Sequence, residues 1–396
     1  MITNADVQPH RDENAHAKGR FLRERPIRRN AEASGFLDVA IFGAGIAGLT
    51  TAIALQARGH RCRIYERSRQ AHEAGMGFIL LPEGTKLLQS VGVRFTDDLH
   101  GIPLDRYCHR NSAGEIVHQE FMPAGSRSLR RCDLIGALLR ALPASECLVY
   151  DAELKRLECD EGGIVSSCVL RSGVTIQADL YIAADGVRSR GRKALFPDWP
   201  APASRVLEIV GMVRCDQVRR WTASNFNKFH APEGGLAVGV LPVDSHHVVW
   251  YLQFDTQRFS TPGESGPERA TFVNDLVRAW AGPVPRLLEL TDFAQAHIWI
   301  PVDTDLIPRF HHGNLALVGD SAHPLLPFSS QGLSSAIADA VALADLCTPR
   351  EDLGRVLAAY SDKRRAQCNS YIAKGRDLMR RFLAAQGADS VGLPIA

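Results

Sequence analysis

The residues best spaced for chemistry are three glycines and an acid. Gly43, Gly45 and Gly48 make G-x-G-x-x-G, and Glu66 follows about 20 positions later. The first glycine permits a tight turn, the second lets backbone approach a pyrophosphate, and the third lets a helix pack closely on strands. N–H groups at the start of that helix, with the positive end of its dipole, attract phosphate. Glu66 can accept hydrogen bonds from both ribose hydroxyls of an adenosine. This is dinucleotide-binding chemistry, and on this motif alone FAD and NAD are both open. Two later stretches put an acid at a strand end: Asp185-Gly186, followed by Ser189 and Arg192, and Gly319-Asp320, followed by Pro327, Gln331 and Gly332.

The elements that must hold these residues follow from periodicity. Leu37, Val39, Ile41 and Phe42 read as a strand, Ala47 to Leu55 as a helix ended by Gly59, and Arg61–Tyr65 as a second strand. Gly75 and Gly77 flank Met76 ahead of a strand-like run, Phe78–Leu81, which suggests backbone passing close to a ligand. Glu83 to Val91 is a short helix. Asp105 to Met122 reads as a β-hairpin turning at Asn111–Gly114, and a helix opens near Ser128, where Arg131 is either solvated or able to reach a phosphate. Strands follow over Leu148–Leu157, Ile164–Leu170 and Val174–Ala178. From about Pro197 to Ile300 prolines, aromatics and strand patterns dominate, interrupted by one helix, Glu268 to Trp280; this predicts a separate antiparallel β domain. Leu315 to Asp339 returns to an α/β pattern. Glu351 to Ala385 is helical, and its basic polar face reads as solvated.

Composition sets outer bounds. The chain has 396 residues, is 45% hydrophobic and 23% charged, and carries a net charge of +2. That balance argues against a dedicated nucleic-acid or anionic-membrane surface, and no apolar run is long enough to span a bilayer. Nine scattered cysteines without a C-x-x-C pair suggest reduced thiols and a cytoplasmic protein. Residues 1–35 read as a polar, basic, disordered tail.

The three acid-and-glycine motifs, in this order, resemble those of the single-component FAD-dependent aromatic monooxygenases, the group of para-hydroxybenzoate hydroxylase. The resemblance runs roughly from Phe36 to Arg365 and includes Gly75-Met76-Gly77 and Arg131-x-x-Leu134. It implies an α/β protein with a Rossmann-type FAD-binding domain over 36–196 and 301–348, an antiparallel β-sheet substrate domain over 197–300, and a C-terminal helical segment over 349–386. The hairpin at 98–123 is open to joining the substrate sheet. The implied FAD contacts are Gly43, Gly45, Ile46, Ala47, Gly48, Glu66, Arg67, Gly77, Arg131, Leu154, Asp185, Gly186, Asp320, Pro327, Gln331, Gly332 and Leu333. Asp320 would take ribityl or ribose hydroxyls. The helix start at Gln331-Gly332 would stabilise a reduced, anionic flavin ring. Ser330 stands where the family usually has glycine, Ser334 where an asparagine is common, and Ala338 where an acid is usual.

The resemblance also implies an activity: NAD(P)H reduces FAD, O2 adds to form a flavin C4a-hydroperoxide, and oxygen passes to an electron-rich aromatic or enolic small molecule. No second G-x-G-x-x-G is present for the nicotinamide nucleotide, which would act transiently. The β domain would supply the pocket through Met212, Arg214, Phe229, Val238, Leu241 and Gln253, with Phe328 from the flavin side. Pro327 would wall the reacting position, and His230 and Tyr251 are the candidate acid–base groups. No metal ligand set is expected, and the partners would be an aromatic substrate and O2, in a monomer or homodimer. Two other readings stay open. A flavin-dependent halogenase finds a partial echo in Ile298-Trp299-Ile300-Pro301, with Lys86 in a polar helical run; a nucleotide-binding sensor would leave the Pro324–Gly332 loop without a purpose.

Overall fold

The apolar run that precedes the first glycine forms a strand, Asp38–Phe42, buried from Val39 onward. It is one of the two central strands of a six-stranded sheet ordered His311–His312, Leu315–Leu317, Leu180–Ala183, Asp38–Phe42, Arg61–Tyr65, Leu148–Val149. All neighbours pair in parallel except the His311–His312 edge. Strands covered on both faces need continuous apolar sequence rather than alternation, as Leu180–Ala183 and Leu315–Leu317 provide. The computed structural model describes residues 35–70, 77–95, 99, 101–143, 147–200 and 205–385; the expected tail before Gly35 and the Gly75-Met76 pair lie outside them.

A helix, Ile46–Gln56, leaves the first strand through the glycines. A Cβ on Gly48 would stand 1.9 Å from the Gly43 carbonyl oxygen, so only glycine permits this helix–strand approach. The same helix packs on Gly332–Leu346, whose small residues allow close contact: a Cβ on Gly319 would meet those of Ala47 and Ala336 at 2.9 and 3.3 Å.

The second layer is a seven-stranded sheet ordered His297–Trp299, Val206–Arg214, His247–Asp255, Leu236–Pro242, Asn225–His230, Arg106–Asn111, Ile116–Phe121. The Asp105–Met122 hairpin therefore completes this sheet, and Arg106–Asn111 pairs in parallel with Asn225–His230. Strand residues alternate between two faces. Leu207, Ile209, Phe229, Val238, Trp250, Leu252 and Phe254 form a core under helices Asp216–Thr222, Gly266–Val277 and Val284–Leu290. Three helices stand where one was expected, because the two additional ones are a single seven-residue stretch each, too short for a periodic signal. The other face, with Val210, Phe226, Leu241, Tyr107 and Tyr251, meets Ile79 and Leu81 of the nucleotide domain.

The long C-terminal helix, Leu353–Leu383, is capped by Asp352, whose carboxylate accepts the Arg355 N–H at 2.9 Å. Its buried residues recur every three or four positions, from Leu353 through Tyr360, Arg364 and Cys368 to Phe382. The expectation of a wholly solvated basic face fails at Arg364, which is 2% exposed.

Candidate active site

At the glycine turn, Glu66 receives the Ala44 N–H at 2.7 Å on one carboxylate oxygen and the Ser68 N–H at 2.8 Å on the other. This holds the acid beside the helix start. A Cβ on Gly45 would meet nothing within 4 Å, and the same is true at Gly186 and Gly332, so these three backbones border open space. Ile46 and Leu154 are buried in the nucleotide-domain core, Ala47 and Leu333 pack against it, and Arg67 is exposed. Gly77 also sits where a side chain would clash. A Cβ there would stand 2.3 Å from Val243, so its backbone passes close to the β domain.

The Asp185-Gly186 turn is tied down by its own acid. Asp185 Oδ2 accepts the N–H groups of Arg190 and Gly191 at 2.7 and 3.3 Å, while Oδ1 is buried with no partner among the described residues. Arg192 links this turn to the Gly319-Asp320 loop. Its Nη1 donates to the carbonyls of Asp320 and Ser321 at 2.8 and 2.9 Å, and its Nη2 donates to that of Val187.

Two acids meet at that loop, Asp320 within it and Asp339 on the helix Gly332–Leu346 behind it. Asp339 is fully buried and accepts from the Gly319 N–H at 2.7 Å, His323 Nε2 at 2.6 Å and Arg364 Nε at 2.6 Å. Burial would raise its pKa, but His323 and Arg364 bring it below the usual carboxylate range. With Cys368 this cluster has a metal-like composition, yet the Arg364 guanidinium already occupies Asp339. Asp320 instead makes no side-chain hydrogen bond among the described residues, and burial raises its pKa against the pull of His323, Arg131 and Arg192. Arg131 faces it, pushed down by burial and held up by Asp320, and also lacks a hydrogen-bond acceptor among the described residues. The loop continues through the Pro327–Ser329 turn to Ser330, at φ 54°, and Gln331 begins the helix Gly332–Leu346. Ser329 Oγ is buried without a partner among the described residues.

These observations fit a long, polyhydroxylated, doubly charged ligand. An unbonded carboxylate, an unbonded guanidinium, orphaned oxygens on Asp185 and Ser329, and three open glycine faces converge from the three motifs. Bound FAD would offer hydroxyls to Glu66 and Asp320, a diphosphate to Gly45 and Arg131, and a ring to the helix start at Gly332, whose first N–H groups lack intrahelical acceptors.

Across the loop stands the sheet face that meets the nucleotide domain. Glu208 pairs in register with Gln253, Val210 with Tyr251 and Met212 with Val249. The Gln253 Nε2–Glu208 hydrogen bond is 2.5 Å. Tyr251 lies over Gly239, where a Cβ would be 2.0 Å from its ring. His230 stacks on His109 with ring centroids 4.1 Å apart and 1° between planes. Met212 and Arg214 are on this face at its exposed end, and Leu241 is packed within it. Phe328 packs with Ala237 and Phe382. Phe229 and Val238 were expected to line the pocket; instead they are cross-strand neighbours on the opposite face, under the helices. A one-residue change of parity moves a strand side chain through the sheet. Burial, with Lys228 and His109 adding to it, pushes His230 well below its ordinary pKa; burial, with Glu208 and Tyr107 adding to it, pushes Tyr251 well above. His230 is thus a neutral imidazole and Tyr251 a neutral phenol, a hydrogen-bond donor rather than a ready base. Sequence reasoning passed over Glu208 and Lys228 on this face; the available signal was a charged residue at inward parity within an otherwise apolar strand. The halogenase echo falls on an exposed sheet edge at Trp299 and Ile300, and Lys86 is exposed on its helix.

The FAD binding domain family model matches residues 37–373, and the chain belongs to this family. Similar proteins are named as monooxygenases or hydroxylases, some of them as FAD-dependent. A 3-amino-4-hydroxybenzoate 2-monooxygenase of Streptomyces platensis is 27% identical over 88% of this chain and 89% of its own length. The enzyme of the same name from Streptomyces cremeus is 30% identical over 78% and 77%. The fold matches the crystal structure of Klebsiella pneumoniae HpxO complexed with FAD and uric acid, with TM-score 0.78 at 22% identity over 89% and 90% of the two chains. The protein is therefore an FAD-binding enzyme of the aromatic monooxygenase class, with the para-hydroxybenzoate hydroxylase-like fold. Among the described residues no helix is long and apolar enough to cross a membrane.

Proposed function

We propose that the protein hydroxylates or epoxidises an electron-rich aromatic or enolic small molecule, using NAD(P)H and O2 in a cytoplasmic setting, as a monomer or homodimer. The observation that carries this reading is the apposition of the Pro327–Ser329 turn to the sheet face bearing Tyr251, His230 and Gln253. FAD, when bound, supplies electron transfer from NAD(P)H and activation of O2. The chain's own tasks are positional. Glu66, Gly45, Arg131 and Asp320 hold the nucleotide and ribityl parts. The helix start at Gly332 would hold the ring, where its positive end would favour a reduced, anionic form. Pro327 walls the space beside it without offering an N–H. The apolar packing of Leu241, Val210 and Phe226 excludes water from the inner end of the face. Tyr251, held neutral, donates a hydrogen bond to a substrate oxygen. The experiment is anaerobic stopped-flow reduction of the FAD-loaded protein by NADH and NADPH across a panel of phenols and hydroxybenzoates. Substrate-accelerated reduction followed by oxygen-dependent hydroxylation is the expected result; NAD(P)H oxidation that never transfers oxygen to any ring would contradict it.

A further inference from the structure

On the face that meets the Pro327–Ser329 turn, one buried cation has no acceptor among the described residues. Lys228 is 4% exposed, and among the described residues its ammonium makes no hydrogen bond or ion pair. Its Nζ lies 5.5 Å from the ring centroids of Phe328 and Phe382, and 5.9 Å from that of Tyr251. It sits opposite Gly239 in register, on the strand that also carries His230. The field of Glu208 reaches it, but that carboxyl is already hydrogen-bonded by Gln253. Burial brings the ammonium's pKa down to about 8, opposed by Glu208, and the neighbouring imidazoles of His109 and His230 are held neutral by burial and by Lys228 itself. A desolvated ammonium without an acceptor is costly. Such a cost persists where a ligand supplies what the fold omits. Phe328 belongs to the same turn as Pro327, so the cation stands beside the loop on which the flavin ring would rest.

We infer that Lys228 is a specificity-determining residue whose ammonium receives an oxyanion of the aromatic substrate, a ring carboxylate or a phenolate. Tyr251 and Phe328 border the position where the oxyanion's ring lies. This inference rests on the hydroxylase reading and narrows its substrates to acidic aromatics. The cation stays charged at neutral pH because Glu208 offsets part of the burial effect, and the two neighbouring histidines, held neutral, add no competing positive charge.

The test compares FAD-loaded wild type with Lys228→Met, which keeps the length of the side chain, and with Lys228→Arg and Lys228→Gln. The probes are 3-amino-4-hydroxybenzoate, its carboxamide, and 3-amino-4-methoxybenzoate, titrated against the flavin absorbance. The carboxamide reads recognition of the carboxylate and the methoxy compound that of the phenolate. Wild type should prefer the acid over one of these analogues by about tenfold or more, the range of a charge-assisted hydrogen bond. Lys228→Met and Lys228→Gln should bring that preference to within about twofold while FAD is retained, and Lys228→Arg should keep part of it. A preference that survives in the two uncharged variants, or a wild type that prefers the acid over neither analogue, overturns the assignment. The hydroxylase reading is tested apart from it, by NAD(P)H-driven flavin reduction and oxygen uptake across the wider panel.

Discussion

Asp320 and Asp339 lie 19 positions apart in one motif, and substituting each by Asn should separate binding from stability. Asp339 has three donors around it at 2.6–2.7 Å, two of them cationic side chains, and no exposure. An asparagine amide keeps one acceptor oxygen and presents an NH2 where the other stood. Whichever way it flips, a donor meets a donor, and both Arg364 and His323 are left buried without their counter-charge. Breaking a buried pair in this way costs about 3–5 kcal/mol, a large part of the ~5–15 kcal/mol that holds a domain folded. At about 2 °C per kcal/mol for a large domain, the FAD-free protein should melt roughly 6–10 °C lower. Asp320 accepts no hydrogen bond, so Asp320→Asn should leave the FAD-free melt within about 2 °C of wild type while weakening FAD binding about tenfold or more. Circular-dichroism melts of the FAD-free proteins and fluorescence titration with FAD give the two numbers. Equal losses of stability in both variants, or an Asp339→Asn protein that melts with wild type, would refute the division of roles drawn from the geometry.

Other expectations follow from single contacts. Gly48→Ala should unfold or strongly destabilise the nucleotide domain, since its Cβ would stand 1.9 Å from a carbonyl oxygen, whereas Gly45→Ala should fold normally and lose FAD affinity; a matched pair of melts and titrations decides this. Ser330→Gly should raise the melting temperature slightly, because serine at φ 54° carries about 1 kcal/mol of strain that glycine avoids. Burial would lower His323, but the field and hydrogen bond of Asp339 raise its pKa from 6.5 to about 10. Its contribution is therefore complete below pH 6.5 and lost as pH rises toward 10, so melts should fall across that window more steeply in wild type than in His323→Gln. Asp339, whose folded pKa is depressed, contributes in the opposite sense: its share is present above pH 3.8 and lost as acid protonates it.

Much of the nucleotide domain could be read locally. The strand before Gly43, the glycine helix and the strand ending at Glu66 depend on contacts close in sequence, and each left its own periodicity in the chain. The acids at 185 and 320 were visible because an apolar strand that ends in an acid and a glycine is a local pattern. So was the departure at Ser330, although only the backbone shows that it sits in the left-handed region.

What the sequence by itself determined is thus the order of elements, the motifs and, through their combination, the class of enzyme. Tertiary structure alone decided the partnerships between distant segments. Arg364 looked like one basic residue among many on a helix, until folding set it against Asp339, 25 positions away. Arg192 acquired a role only when the loops at 187 and 320 met around it. Phe229 and Val238 turned to the face under the helices, and Glu208 and Lys228 to the face that meets the nucleotide domain, because strand parity is set by register with neighbours and not by composition. The sheet face that meets the nucleotide domain assembles from strands that begin between residues 106 and 247, so its chemistry has no local signature: it exists only where the sheet brings those side chains together.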